Sequence, residues 1–198
     1  MYGFTAETKE QSSVSRFIQV TPETAIATGR FIKELKFEDN NGNPYFEIVV
    51  VNKEGQTANH RYYEPKMDGN IVKTQEELTK KASQFNGIMA NLSRRFLGEN
   101  YVPQGVTSFE TLCKKVIADI GNKYINKELR IKIVLNKNNY PVLPNFSPIF
   151  EDIATNPSKL TITKYDKVIS DYKPSDVKPD SDMPTMGDFE NATTDMPF

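Results

Sequence analysis

Arg30-Phe31-Ile32-Lys33-Glu34-Leu35-Lys36-Phe37-Glu38 runs into Asp39-Asn40-Asn41-Gly42-Asn43-Pro44 and out again as Tyr45-Phe46-Glu47-Ile48-Val49-Val50-Val51. Asn52-Lys53-Glu54-Gly55 then turns the chain, and Gln56 to Tyr63 can return beside it before Pro65 stops the run. In the first segment Phe31, Leu35 and Phe37 fall on one side, and Arg30, Glu34, Lys36 and Glu38 on the other; Ile32 is the exception. A period of two marks a strand with one buried face. The Asn/Gly/Pro cluster is a dense turn signal, and the β-branched and aromatic run after it suits a pleated surface. Residues 30–64 are therefore expected to form a three-stranded antiparallel meander.

Beyond residue 64 the period changes. Thr74 followed by Glu77 reads as a capping box, in which hydroxyl and carboxylate satisfy free N–H groups at a helix start. Leu78, Ala82, Phe85, Met89, Leu92 and Phe96 follow at helical spacing, and Gly98 can end the helix. A second box, Thr107 with Glu110, is expected to open another helix with the stripe Phe109, Leu112, Val116, Ile117 and Ile120, ending near Gly121. Further strand signals lie at Val14–Val20, Leu129–Leu135, Tyr140–Phe146 and Leu160–Tyr165. The fold class is mainly β with a helical insert (α+β). Three strands, a helical insert and then at least two more strands is the order of an OB-fold-like five-stranded barrel, here with two helices between the third and fourth strands. A generic α+β domain with the same order is the alternative. The expected division is a loose N-terminus over 1–13, a body over 14–173 with its helical insert at 74–121, and an acidic tail over 174–198.

The net charge of −1 conceals a segregation. Residues 174–198 hold six acids and one base, whereas residues 1–173 hold 24 bases and 20 acids. A basic body joined to an acidic tail points towards nucleic acid. Cys113 is the only cysteine and His60 the only histidine, which excludes an intramolecular disulfide and a Cys-based zinc site. No apolar run is long enough for a bilayer span, and the N-terminus lacks the basic and apolar regions of a signal peptide. A soluble, cytoplasmic protein is expected, with no membrane partner.

Phosphate-binding and dinucleotide fingerprints are missing, and His60 has no evident nucleophile partner. Cys113 beside Leu112 reads as a small core residue, and the adjacent acids Glu151 and Asp152 are a weak metal signal. Neither a catalytic role nor a cofactor nor a metal is expected. Binding of a single strand without sequence preference needs a basic groove and exposed aromatic faces. The meander supplies Arg30, Lys33 and Lys36 on its first strand, Tyr45 on its second, and Arg61, Tyr62 and Tyr63 on its third, with Lys66 just beyond. Lys132, Lys137 and Tyr140 in the later hairpin are further candidates. Arg61 and Tyr63 share one strand face and Tyr62 takes the other, so one tyrosine is expected in the core. The basic pairs Lys80-Lys81, Arg94-Arg95 and Lys114-Lys115 read as solvated helix faces.

The tail, rich in Pro, Asp, Ser, Thr and Met, cannot bury enough apolar surface to offset its ordering entropy and is expected to be disordered. It ends Asp195-Met196-Pro197-Phe198. An aromatic ring beside an α-carboxylate suits a pocket with a basic rim, Pro197 restricts the backbone before docking, and upstream acids speed encounter. A merely solubilising tail is the bland alternative. The ending resembles that of bacterial single-stranded-DNA-binding proteins, whose tails finish Asp-Asp-Asp-Ile-Pro-Phe; Asp195, Met196, Pro197 and Phe198 match the last four positions, with Met for Ile. Similar tails occur on single-stranded-DNA-binding proteins of bacteriophages. The resemblance implies a tail that recruits replication, recombination and repair proteins and can fold back on the body's own DNA groove.

The absence of Trp, the dispersed acids and the large helical insert depart from the bacterial pattern and fit a divergent phage relative, acting in the cytoplasm of a bacterial host. No body motif matches the family, so no stacking residue is carried over. The expected function is non-enzymatic, sequence-independent binding of single-stranded DNA in replication, recombination and repair. The alternative is an accessory protein of the same processes that docks through the tail without binding DNA. A metal-dependent nuclease is a distant third.

Overall fold

The computed structural model describes residues 15–68 and 72–169; the expected loose N-terminus over 1–13 and the acidic tail over 174–198, with its tip Asp195, Met196, Pro197 and Phe198, lie outside them. The meander forms as β1 (Ile26–Asn40), β2 (Asn43–Asn52) and β3 (Thr57–Tyr63). Asn41 and Gly42 turn the chain between β1 and β2, both at positive φ (54° and 78°), a region that Asn tolerates and Gly enters freely. Helices α1 (Gln75–Leu97) and α2 (Phe109–Ile120) follow, then β4 (Glu128–Lys132), a short hairpin of β5 (Val134–Leu135) and β6 (Pro141–Val142), and β7 (Phe150–Asp152). The main sheet is antiparallel throughout with the order β3-β2-β1-β4-β7, which makes this an α+β fold.

The exception at Ile32 has a structural cause. The β1–β2 register shifts between Ile32 and Glu34, so Lys33 is an extra residue in a β-bulge. Before the bulge the even positions Arg30 and Ile32 face inward; after it the odd positions Leu35 and Phe37 do. Phe31 therefore lies on the face opposite Leu35 and Phe37, a correction to the simple alternation. A second shift, between Ala27 and Arg30, occurs where β1 pairs with β4. There Gly29 sits at φ +73°, where a side chain would be strained, and its N–H donates to Glu128 Oε1 at 2.7 Å.

The inward face packs against both helices. Phe46 and Tyr62 meet Phe85 of α1 at ring distances of 6.4 and 6.2 Å, and Phe37 meets Phe109 of α2 at 6.3 Å. Helix α1 starts as expected, with Thr74 accepting from the Glu77 N–H and the Glu77 carboxylate accepting from the Thr74 N–H. Helix α2 starts one residue later than expected: Ser108 is the N-cap, and Thr111 plays the reciprocal part foreseen for Glu110. The Thr111 hydroxyl accepts from the N–H groups of Ser108 (2.8 Å) and Thr107 (3.0 Å), so a short side chain does the work of a carboxylate.

Three other strand assignments are corrected. Within Val14–Val20 the described residues make one parallel bridge, Phe17 to Thr57, and no strand. Tyr140–Phe146 contributes only Pro141–Val142, and Leu160–Tyr165 forms no strand. The sheet is completed instead by Phe150–Asp152, at a place where no strand was expected. That edge is held by one side chain: Asn91 of α1 accepts from the N–H groups of Ile149 and Phe150, each at 2.8 Å, and donates to the Phe150 carbonyl at 3.0 Å.

Asn91→Ala would strand three backbone groups at the buried start of β7. A loss of about 2–4 kcal/mol is expected, read as a lower denaturant midpoint at unchanged slope; a shift under about 0.5 kcal/mol would contradict the clamp. His60, inward on β3, lies 4.3 Å from the Tyr62 ring and donates from Nε2 to Asn145 Oδ1 at 3.1 Å. Burial lowers its pKa from 6.5 to about 4, against the opposing effect of the Asn145 bond. The unfolded chain thus binds the extra proton between these values. The contribution to stability is full above pH 6.5, declines as pH falls, and is lost below about 4. Denaturation of wild type and His60→Gln across that window should show a decline in the wild type that exceeds the variant's by on the order of 3 kcal/mol.

Candidate nucleic-acid interface

The outer face of the meander is the side away from the helices. Antiparallel register sets its rows: Lys36, Glu47 and Arg61 in one, Glu38, Tyr45 and Tyr63 in the next, Glu34, Val49 and Asn59 on the other side. Directly opposed side chains interact most strongly, and these do. Glu47 is 3% exposed and meets Lys36 Nζ and Arg61 Nε, each at 3.0 Å, and the Asn59 amide at 3.2 Å. Burial opposes its charge, but the bonds from Lys36, Arg61 and Asn59 outweigh it and hold the carboxyl below the usual range. The bond to Glu47, joined by one to Glu38, raises the Lys36 pKa.

Beside this row the aromatic groups collect. The Arg61 guanidinium lies 4.8 Å from the centre of the Tyr45 ring, and the Tyr45 and Tyr63 rings are 5.5 Å apart. The Tyr45 hydroxyl donates to Glu38, which lowers the carboxyl pKa and raises that of the phenol. Tyr63 is 56% exposed, whereas Tyr45 beside it is buried. The arrangement presents one open ring, Tyr63, packed against a second ring that itself carries a cation over its face.

The candidates thus separate. Lys36, Tyr45, Arg61 and Tyr63 come together on the outer face. Lys33 is exposed at the bulge, and Lys66 donates to the Gly42 carbonyl at 2.6 Å and pairs with Glu64 at 3.4 Å, near the β1–β2 turn. Arg30 is not on that face, because the bulge turns it inward. Its guanidinium is buried and donates to the carbonyls of Thr24, Ala25 and Ile131, and burial lowers its pKa to about 10. Tyr62 is the core tyrosine, its hydroxyl donating to the Pro144 carbonyl at 2.8 Å. Lys132 is buried beneath residues 158–167, paired with Asp166 at 3.0 Å and donating to the Thr161 carbonyl at 3.2 Å. Tyr140 is 52% exposed and stands apart, edge-on to Phe17 at 5.6 Å.

Other candidates for chemistry are committed elsewhere. Burial pushes the Cys113 thiol up to about 12, so it stays protonated at neutral pH. Glu151 pairs with Arg130 and accepts from the Lys159 N–H at 2.7 Å, while Asp152 is shared by Arg95 (3.1 Å) and Lys127 (3.0 Å). Among the described residues no group of three His, Cys, Asp or Glu could hold a metal ion, and no helix is long and apolar enough to cross a membrane. Sequence reasoning missed Phe17; the available signal was the basic–aromatic pair Arg16-Phe17, the same pairing as Arg61-Tyr62.

Glu47→Gln should cost about 1–2 kcal/mol at pH 7, since it leaves two cations without their shared partner. The folded pKa of Glu47 is depressed, so its contribution is full above 4.5 and is lost as pH falls through the lower folded value. Denaturation at pH 7 and pH 3 should show the gap between variant and wild type narrowing in acid; a constant gap would contradict the ladder.

No protein-family model matches the chain, no curated protein matches it, and no solved structure matches it.

Proposed function

We propose that the body binds single-stranded DNA without sequence preference, and that the acidic tail recruits proteins of replication, recombination and repair. The observation that carries this reading is the open aromatic surface of Tyr63 on the outer face of β3, with Tyr45 beside it and Arg61 over the Tyr45 ring. A base can stack there whatever its identity, because every base has a π-face. The order β3-β2-β1-β4-β7 supports an OB-type body, a partly open five-stranded barrel whose second and third strands take oligonucleotides. The two bulges in β1 support curvature of the sheet. The segment before β7 also reaches the inward side chains of β3, where Pro144 and Asn145 bond Tyr62 and His60. The ending Asp195-Met196-Pro197-Phe198 supports recruitment of partners.

One observation favours the second reading, an accessory protein that docks through its tail and binds no DNA. The cations of the outer face, Lys36 and Arg61, are already paired with Glu47, and Lys36 also with Glu38, so these two cations and two carboxylates have no net charge to offer phosphates. Titration of the full chain with labelled oligo(dT) separates the two. Binding that weakens linearly in log affinity with log salt is expected, together with a loss of about 5-fold or more for Tyr63→Ala. No binding at low salt would reject the leading reading in favour of the second.

A further inference from the structure

A second aromatic group stands at the opposite end of β3. Residues 16–18 are tied to the start of that strand: the Ile18 N–H donates to the Thr57 carbonyl and the Thr57 N–H to the Arg16 carbonyl, each at 3.1 Å. Residues paired across a bridge point to the same side of a sheet. Phe17 therefore shares a face with Thr57 and, by the period of two, with Asn59, Arg61 and Tyr63. Its neighbour Ile18 points the other way into the core, as this requires.

The Phe17 ring is 41% exposed and meets Tyr140 edge-on, the rings inclined at 70°. An edge-on pair leaves both faces of one ring uncovered by the other. Tyr140 is held by a tight turn, in which Asn136 Oδ1 accepts from the N–H groups of Asn138 (2.9 Å) and Tyr140 (3.0 Å). Exposed cations flank the pair in sequence, Arg16 before Phe17 and Lys137 within the turn. Neither segment, 15–22 or 133–150, contains an Asp or Glu. The aromatic pair is thus set in acid-free chain, unlike Lys36 and Arg61, whose charges are cancelled by Glu47 and Glu38.

We infer that Phe17 and Tyr140, with Arg16 and Lys137, form a second stacking station for a single nucleic-acid strand, which follows the outer face of β3 from this pair to Tyr63. Six residue steps from Thr57 to Tyr63 separate the stations by roughly 20 Å. Asn59 and Arg61 line the path between them. The cations at the Phe17 end take the phosphates, and the rings at both ends take bases. This inference rests on the proposed single-strand binding.

The test uses the full chain and oligo(dT) with scattered 5-iododeoxyuridine, which cross-links to stacked aromatic side chains on irradiation. Adducts at Phe17 or Tyr140, as well as at Tyr63, are expected. Phe17→Ala with Tyr140→Ala should weaken binding about 10-fold or more, while Tyr140→Phe, which keeps the ring, stays near wild type. Arg16→Ala with Lys137→Ala should lower the salt slope by about 2. All the replaced side chains are exposed, and an unchanged melting temperature verifies folding. Wild type that binds no oligonucleotide overturns the functional reading itself. Wild type that binds, with the alanine pair within twofold of it and no adduct at Phe17 or Tyr140, overturns this station and leaves the function standing.

Discussion

The break in β1 at Gly29 and Arg30 carries more of this structure than any other local feature. β1 spans 15 residues and is hydrogen-bonded to β2 on one side and β4 on the other. An extra residue in one strand bends it and increases its local twist, which lets one long strand serve two partners at different angles. Here the register shift with β4 falls beside Gly29, and the Arg30 guanidinium donates to carbonyls on both sides of the break, Thr24 and Ala25 before β1 and Ile131 on β4. Burying a charge costs several kcal/mol unless polar partners surround it. Three carbonyl groups, from Thr24, Ala25 and Ile131, supply those partners and tie the entry of β1 to β4.

The second bulge, at Lys33, sets the character of the outer face. It turns Leu35 and Phe37 towards the helices and leaves Lys36 and Glu38 outside, where β2 and β3 answer them with Glu47, Tyr45, Arg61 and Tyr63. A carboxylate as buried as Glu47 requires compensating cations, and Lys36 and Arg61 are held by that requirement. The row is a rigid platform that positions rings. Its cations are structural first, which distinguishes this end of β3 from the Phe17 end, where the segments that carry Phe17 and Tyr140 (15–22 and 133–150) contain no Asp or Glu.

Much of the architecture was legible in the chain. Thr74 and Glu77 announce α1 because capping is a contest among a few adjacent groups, and the stripe from Phe85 to Leu92 follows from the helical repeat alone. The turn at Asn41-Gly42 is equally local, since it depends on which residues tolerate positive φ. Where two neighbouring residues could serve, as Thr107 and Ser108 at α2, local chemistry gives the cap to within one residue and packing chooses. Phe150–Asp152 shows the limit: three residues carry no usable period, and they become a strand because Asn91, far away in sequence, accepts their N–H groups and donates to the Phe150 carbonyl.

The candidate site divides in the same way. Composition and spacing were enough to pick out Arg61, Tyr62 and Tyr63 as a basic–aromatic group and to place Tyr62 opposite the other two, because side-chain alternation belongs to the strand itself. They could not show that Arg30 turns inward, that Lys132 is covered and paired with Asp166, or that Phe17 stands beside Tyr140. Each of these depends on a bulge, a covering segment or a bridge between residues far apart in the chain. Periodicity describes one element at a time; burial and pairing are properties of two elements in contact, and only the folded arrangement of this chain decides them.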